Sequence, residues 1–254
     1  MSITSHIEFL GIKRISQVVG MTLKEMRDYA RPGMTTKELD DFGGRVLAQY
    51  GAKSAPRLTY GFPGWTCISV NNEIAHGISS SQTKLKEGDL INIDVSAELD
   101  GFWADNGGSF VLGNDIHQHS DLVEASKEIL HKAIHQIRGG VKVADIGRLI
   151  ETEAKRAGYK VIRNLAGHGV GRSLHEEPTE ILCCYDRHNK TRFKTNSVVA
   201  IETFISTRAT YAHDKGDGWT LITRDGSYVA QHEHTIIVTN GEPVILTEAN
   251  AIWS

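Results

Sequence analysis

The stretch from Leu90 to Leu112 constrains the fold of this chain more than any other. In Leu90-Ile91-Asn92-Ile93-Asp94-Val95 polar residues alternate with apolar ones, a strand period that puts Asn92 and Asp94 on one face and Ile91, Ile93 and Val95 on the other. Phe102 to Leu112 reads as a second strand, and Asp100-Gly101 between them is a strong two-residue hairpin signal. If those two residues form the loop, Asp105 lies opposite Ser96, and Asp94 and Asp105 become diagonal neighbours on one face, with Cβ atoms roughly 7–8 Å apart. Two carboxylates so placed can converge on an ion between them. Taken alone, the pair fits a solvated sheet face carrying two ordinary aspartates equally well.

The segments around this hairpin follow a repeated order. Apolar positions recur at helical spacing from Ile7 to Ala30, and Arg31-Pro32-Gly33 ends the run. Thr35 with Glu38 has the form of a capping box, and the helix it opens runs to Tyr50 and closes at Gly51. A second helical pair is predicted from Asp121 to Ile137 and from Ala144 to Ala157, broken at Gly139-Gly140 and ended at Gly158. Strands are predicted after each pair: Leu90–Ala97, Phe102–Leu112, Val161–Leu165, Ser197–Phe204, Tyr228–Val238 and Val244–Leu246. The class is α+β with antiparallel hairpins, and the recurrence hints at two related halves with the active site between them.

Composition narrows the function classes. With 254 residues, 40% of them hydrophobic, the chain is long enough to bury a sizeable core. A formal net charge of -3 leaves no basic excess to hold a polyphosphate backbone, so direct nucleic-acid binding is not expected. His6, Glu8, Lys13 and Arg14 interrupt the first twenty residues, which excludes a signal-peptide core there, and no span reads as membrane-crossing. Cys67 and the adjacent Cys183 and Cys184 form neither a disulfide framework nor a CxxC zinc pattern, so a reducing, cytoplasmic location is expected.

Three further segments set ionisable side chains beside apolar strands: Gly167-His168-Gly169-Val170-Gly171, Val198-Val199-Ala200-Ile201-Glu202, and His232-Glu233-His234 running into Thr235-Ile236-Ile237-Val238. Singly each is weak, because a histidine in a glycine-rich turn or a glutamate at a strand end is usually solvated. Together, four carboxylates and one imidazole in one buried cleft would require cations, since unpaired buried charge is very costly. Two divalent ions neutralise four carboxylates. An oxygen-rich shell with one nitrogen and no thiolate suits manganese, iron(II) or cobalt at least as well as zinc.

The ordered set Ile93-Asp94-Val95, Ala104-Asp105, Gly167-His168-Gly169-Val170-Gly171-Arg172, His175-Glu176-Glu177-Pro178, Ile201-Glu202 and Glu233-His234-Thr235 resembles the type I methionine aminopeptidases of bacterial type, from about Glu8 to Leu246. The resemblance implies a pita-bread (creatinase/aminopeptidase) fold over 1–254, a single catalytic domain whose pseudo-symmetric halves, roughly 7–115 and 120–247, join an antiparallel sheet to outer helices. It implies two divalent metal ions (cobalt, manganese or iron(II), with zinc an option) held by Asp94, Asp105, His168, Glu202 and Glu233. His76 and His175 match the family's substrate-facing histidines, and Glu202 also its proton-transfer group. Phe62, Cys67, Leu174 and Trp219 match a narrow apolar pocket in which aromatic and sulfur groups suit a thioether.

The implied activity is hydrolytic removal of the initiator methionine from nascent polypeptides, at the ribosome or after leaving it, when the second residue is small, by metal-assisted attack of hydroxide on the peptide bond. No membrane is expected as a partner, and a monomer is expected. Two positions depart from the family's usual pattern: Asn106 follows Asp105 where threonine is common, and Thr203 follows Glu202 where proline is common. Neither removes a ligand, but Asn106 puts the preferred metal and the rate in question. Rival readings are a proline-directed pita-bread peptidase, whose relatives carry an additional N-terminal domain, and a catalytically inactive protein-binding module. His6, His117, His119, His131, His135 and His213 are expected at the surface.

Overall fold

The computed structural model describes residues 1–253. Its elements, in chain order, begin with helices α1 (His6–Tyr29) and α2 (Thr36–Gln49), strand β1 (Lys53–Ser54), helix α3 (Ala55–Tyr60), and strands β2 (Cys67–Val70), β3 (Glu73–Ala75), β4 (Leu90–Leu99) and β5 (Phe102–Val111). They continue with helices α4 (Ser120–Ile134) and α5 (Val143–Arg156) and strands β6 (Lys160–Val161), β7 (Ala166–Gly169), β8 (Glu176–Leu182) and β9 (Val198–Ser206). Strands β10 (His213–Asp214), β11 (Leu221–Ile222), β12 (Val229–Ile237) and β13 (Val244–Ile245) and a 3₁₀ turn (Glu248–Asn250) complete the chain.

Local chemistry accounts for the helices. Ser5 caps α1 by accepting from the Glu8 amide, and the stripe Ile12, Ile15, Val19, Leu23 and Met26 is fully or almost fully buried. Each such side chain contributes about 1.5–3 kcal/mol on leaving water. The Thr35–Glu38 capping box opens α2 as expected, and Gly51 lies just past its end with φ 74°. The later pair is shifted slightly: α4 stops at Ile134, and His135 to Ile137 form a turn before Gly139.

The main sheet has ten strands, with the path β1-β4-β5-β12-β9-β7-β8, β13 beside β12, β2 beside β4 and β6 beside β9; a second sheet orders β10-β11-β3. The β4–β5 hairpin has the predicted register, with Asp94 opposite Gly107 and Ser96 opposite Asp105, and Asp100 and Gly101 turn it with φ 54° and 80°. Helix α1 packs on β4 and β5, and α4 packs on β9 and β12, with α2 against α1 and α5 against α4. The helix pairs thus cover two neighbouring strand pairs in the same way. The predicted strand 161–165 resolves into the two-residue β6 and, beyond Leu165, a separate β7 that carries His168; that histidine sits on a strand rather than in a turn. Among the described residues no helix is long and apolar enough to cross a membrane, and all three cysteines are free and buried.

Candidate metal centre

The sheet path explains how distant segments meet. Asp94, Asp105, Glu233, Glu202 and His168 stand on β4, β5, β12, β9 and β7, five successive neighbours. Strand alternation then selects one face: Asn92, Asp94 and Ser96 on β4, Gln231 and Glu233 on β12, and Glu202 and Phe204 on β9 all line a single cleft of about 330 Å³. The intervening residues point toward the helices, as Thr203 and His232 show by bonding Ser126 of α4 at 3.0 Å each. Glu202 and Glu233 lie directly opposite each other in the β9–β12 ladder.

The polar face of the hairpin is therefore not a solvated surface. Asp105 is 7% exposed, Glu202 9% and Glu233 1%, and Asp94 is half-buried toward the cleft. Burial pushes the Asp94 carboxyl up to about 6. Burial, with the Asp94 charge nearby, pushes Glu202 up to about 8. Asp105 and Glu233 are raised well above the usual carboxylate range by burial first and by their acidic neighbours next. Burial and the adjacent His175 hold His168 down to about 4, so its imidazole is neutral.

These groups fit divalent cations. The ligand atoms of Asp105, His168 and Glu233 lie within 4.8 Å of one another, and Asp105 Oδ1 is buried with no hydrogen-bond partner among the described residues. His168 Nδ1 lies 3.0 Å from the Gly169 carbonyl oxygen, and donation to it leaves Nε2 as a free lone pair, 3.7 Å from Asp105 Oδ2. Four buried carboxylates without cations would repel strongly. Two doubly charged ions would balance them, and the set of carboxylates with one imidazole and no thiolate suits manganese, iron(II) or cobalt.

The remaining predicted residues line the same cleft. His76 holds a left-handed φ of 54°, a region histidine visits more often than most residues, between β3 and Gly77. Although solvent-accessible, its ring is enclosed by the cleft walls, and this desolvation with the nearby His175 lowers its pKa. The His175 ring is 4.1 Å from that of His168, and Phe62 meets Trp219 edge-on at 5.2 Å and 82°. Phe62, Leu174 and Cys67 are buried, and burial with the nearby aspartates keeps the Cys67 thiol protonated. All eleven site residues named from the sequence, from Phe62 to Glu233, thus face one cavity.

Other residues there were not foreseen. The Tyr60 hydroxyl lies 2.6 Å from His175 Nδ1. Gln231 Nε2 donates to Glu202 and Glu233 at 3.2 Å each, and its Oε1 accepts from Asn92 at 2.7 Å. A Cβ on Gly107 would stand 2.3 Å from Gln231 Oε1, so the glycine makes room for this bridge. The signals were present: Gln231 shares a strand face with Glu233, and Gly107-Gly108 inside a strand marks a close approach. Tyr60, on the short α3, had none. One expectation fails: His119 is 6% exposed, its ring tilted 43° against that of Tyr228 at 4.1 Å, because it stands at the start of α4 where the helix meets the sheet. The departures Asn106 and Thr203 both point away from the cleft, the latter onto α4.

Comparison with known proteins agrees with this arrangement. The chain matches metallopeptidase family M24 over residues 11–240. It is 48% identical to methionine aminopeptidase 2 of Bacillus subtilis (strain 168), over 98% of this chain and 100% of that protein. The crystal structure of a methionine aminopeptidase from Thermotoga maritima superposes with a TM-score of 0.92 at 32% identity, covering 97% of this chain and 99% of that one. A prolidase from Pyrococcus furiosus shares the fold, with a TM-score of 0.75 at 18% identity, and this chain spans 65% of it. Full-length identity and the architecture together make this chain a member of metallopeptidase family M24, alongside its methionine aminopeptidases.

Proposed function

We propose that this chain is a metal-dependent aminopeptidase of type I that removes the N-terminal methionine from nascent proteins whose second residue is small. The observation that carries the reading is one cleft lined both by a cluster of carboxylates and by apolar, aromatic and sulfur side chains. It would work as one domain of two related halves, 7–115 and 120–247, in the cytoplasm, on chains at or leaving the ribosome.

Asp94, Asp105, His168, Glu202 and Glu233 would hold two divalent ions of the manganese, cobalt or iron(II) class. When bound, such ions acidify water and stabilise charge developing on the scissile carbonyl. Glu202 takes the proton from the attacking water and passes it to the departing amine. His175 donates from Nε2 to the scissile carbonyl oxygen. For that its Nδ1 must be the acceptor, so the Tyr60 hydroxyl donates to it across 2.6 Å and selects the working tautomer. His76 holds the substrate main chain near the scissile nitrogen. Phe62, Cys67, Leu174 and Trp219 enclose the methionine side chain, where thioether–aromatic contacts are favourable.

The test is release of free methionine from Met-Ala-Ser, Met-Leu-Ser and proline-containing control peptides after chelator treatment and separate addition of manganese, cobalt, iron(II) or zinc. Metal-dependent release from Met-Ala-Ser with little from Met-Leu-Ser is expected. Cleavage of the proline controls alone would overturn the substrate assignment, and equal rates on Met-Ala-Ser and Met-Leu-Ser would overturn the small-residue rule.

A further inference from the structure

Strands β5 and β12 bring Asp105 and Glu233 together at the centre of the sheet, yet their only backbone-paired position is Gly108 with His232. On either side of it a hydroxyl replaces the ladder. Ser109 Oγ accepts from the Gln231 amide at 2.9 Å and donates to the Gln231 carbonyl at 3.0 Å. Thr235 Oγ1 accepts from the Asp105 amide at 3.1 Å and donates to the Asp105 carbonyl at 2.7 Å. The approach of two ligand-bearing strands at the metal level is therefore set by side chains.

The Thr235 bridge is held from behind by the 3₁₀ turn. Thr247 Oγ1 accepts from the Thr235 amide at 3.2 Å and bonds His234 Nδ1 at 2.7 Å. Asn250 Nδ2 donates to Asn106 Oδ1 at 3.1 Å, and Asn106 Nδ2 donates to the Val95 carbonyl at 3.0 Å, on the strand carrying Asp94. Asn106, Thr235, Thr247 and Asn250 are fully buried, so solvent cannot replace a lost bond. Helix α1 lets the turn in at Gly20, where a Cβ would stand 3.1 Å from the Thr247 oxygen and the Asn250 nitrogen. Asn106 is also the position at which the chain departs from its family's common threonine, and a threonine there is too short to span to Asn250 while also reaching Val95.

We propose that the buried Asn106–Asn250 amide pair, anchored by Thr247, is a positioning clamp that sets the spacing of Asp105 and Glu233 and thereby the affinity of the centre for its cations. Asn250 touches no ligand; it acts through Asn106 on one strand and, through its turn, on Thr235 of the other. The proposal rests on the metal-centre reading above.

The test uses the full chain, stripped with chelator and titrated with Mn²⁺ alone by calorimetry, with urea unfolding measured in parallel. Asn250→Ala and Asn106→Thr should each weaken Mn²⁺ binding roughly tenfold, the effect common for groups that orient ligands. If they act through one bond, the double variant binds no more weakly than the worse single variant. Thr247→Ser should retain affinity and Thr247→Val should lose it, and this pair carries the same test if Asn250→Ala does not fold. Lower stability with unchanged Mn²⁺ affinity would make the pair merely structural and overturn the clamp, as would additive losses in the double variant. Failure of the wild-type chain to bind any of Mn²⁺, Co²⁺ and Fe²⁺ would overturn the metal-centre reading, and the clamp with it.

Discussion

Tyr60 shows how much of a site can rest on one hydroxyl. Its hydroxyl lies 2.6 Å from His175 Nδ1, and if it donates there Nε2 carries the proton that faces the cleft. Tyr60→Phe removes that donor but keeps the ring, so kcat on Met-Ala-Ser should fall about tenfold, the rate equivalent of one oriented hydrogen bond of about 1.4 kcal/mol. Stability to urea should be unchanged because Tyr60 is 51% exposed, and an unaltered kcat would remove the tautomer argument. The five acidic or imidazole positions could be named from the sequence because their motifs, weak singly, occur in the order and spacing of the family they resemble. Tyr60 could not: it lies on a helix of six residues whose placement depends on packing against the sheet. Gln231 falls between, visible by its two-residue spacing from Glu233 but given its purpose only by the arrival of Asn92 and Glu202.

Helix α2 works at a distance in a comparable way. Its buried Asp40 accepts from the amides of Trp65 at 3.0 Å and Thr66 at 2.8 Å, from the Thr66 hydroxyl at 2.9 Å and from the Ser79 hydroxyl at 2.8 Å. The loop between α3 and β2, which presents Phe62 and leads to Cys67, is thereby tied to the helix. Asp40→Ala strands buried donors and should cost about 2–3 kcal/mol in urea unfolding. Among molecules that still fold, KM for Met-Ala-Ser should rise more than kcat falls, since the pocket is loosened and the carboxylate cluster is not; an equal loss in both would contradict that division. The β4–β5 hairpin is the element the sequence describes best, because Asp100-Gly101 sets its register locally and the register sets which face each aspartate takes. Strands β1, β2, β3, β10 and β11, two to four residues each, carry no periodicity of their own and exist through their partners.

For the molecule as a whole, the carboxylate cluster couples folding to cations and to pH. In the cation-free fold Asp94 is raised from 3.8 to about 6 and Glu202 from 4.5 to about 8. The folded chain then binds more protons than the unfolded chain between those limits, so this contribution is full below about pH 4 and is lost as pH rises toward 8. Above pH 6.5, where the buried His168, His232 and His234 are neutral in both states and no longer offset the carboxylates, chelator-stripped protein should therefore show a Tm that falls toward pH 8, and saturating Mn²⁺ should raise the Tm most at the alkaline end, because bound cations replace the protons. A pH-independent Tm in the stripped protein would show that the carboxylates do not share a desolvated site. Residue order alone determined the four long helices, the β4–β5 hairpin and the longer strands, since capping, turn chemistry and alternation act over a few residues, while the ligand set came with the family resemblance. Only the tertiary structure decided that β12 lies between β5 and β9, because β5 and β12 are over a hundred residues apart and no local turn joins β9 to β12. Long-range strand order is chosen by burial of the whole sheet under its helices, and with it came the five-strand row of candidate ligands, the Gln231 bridge and the hydroxyl bridges between β5 and β12.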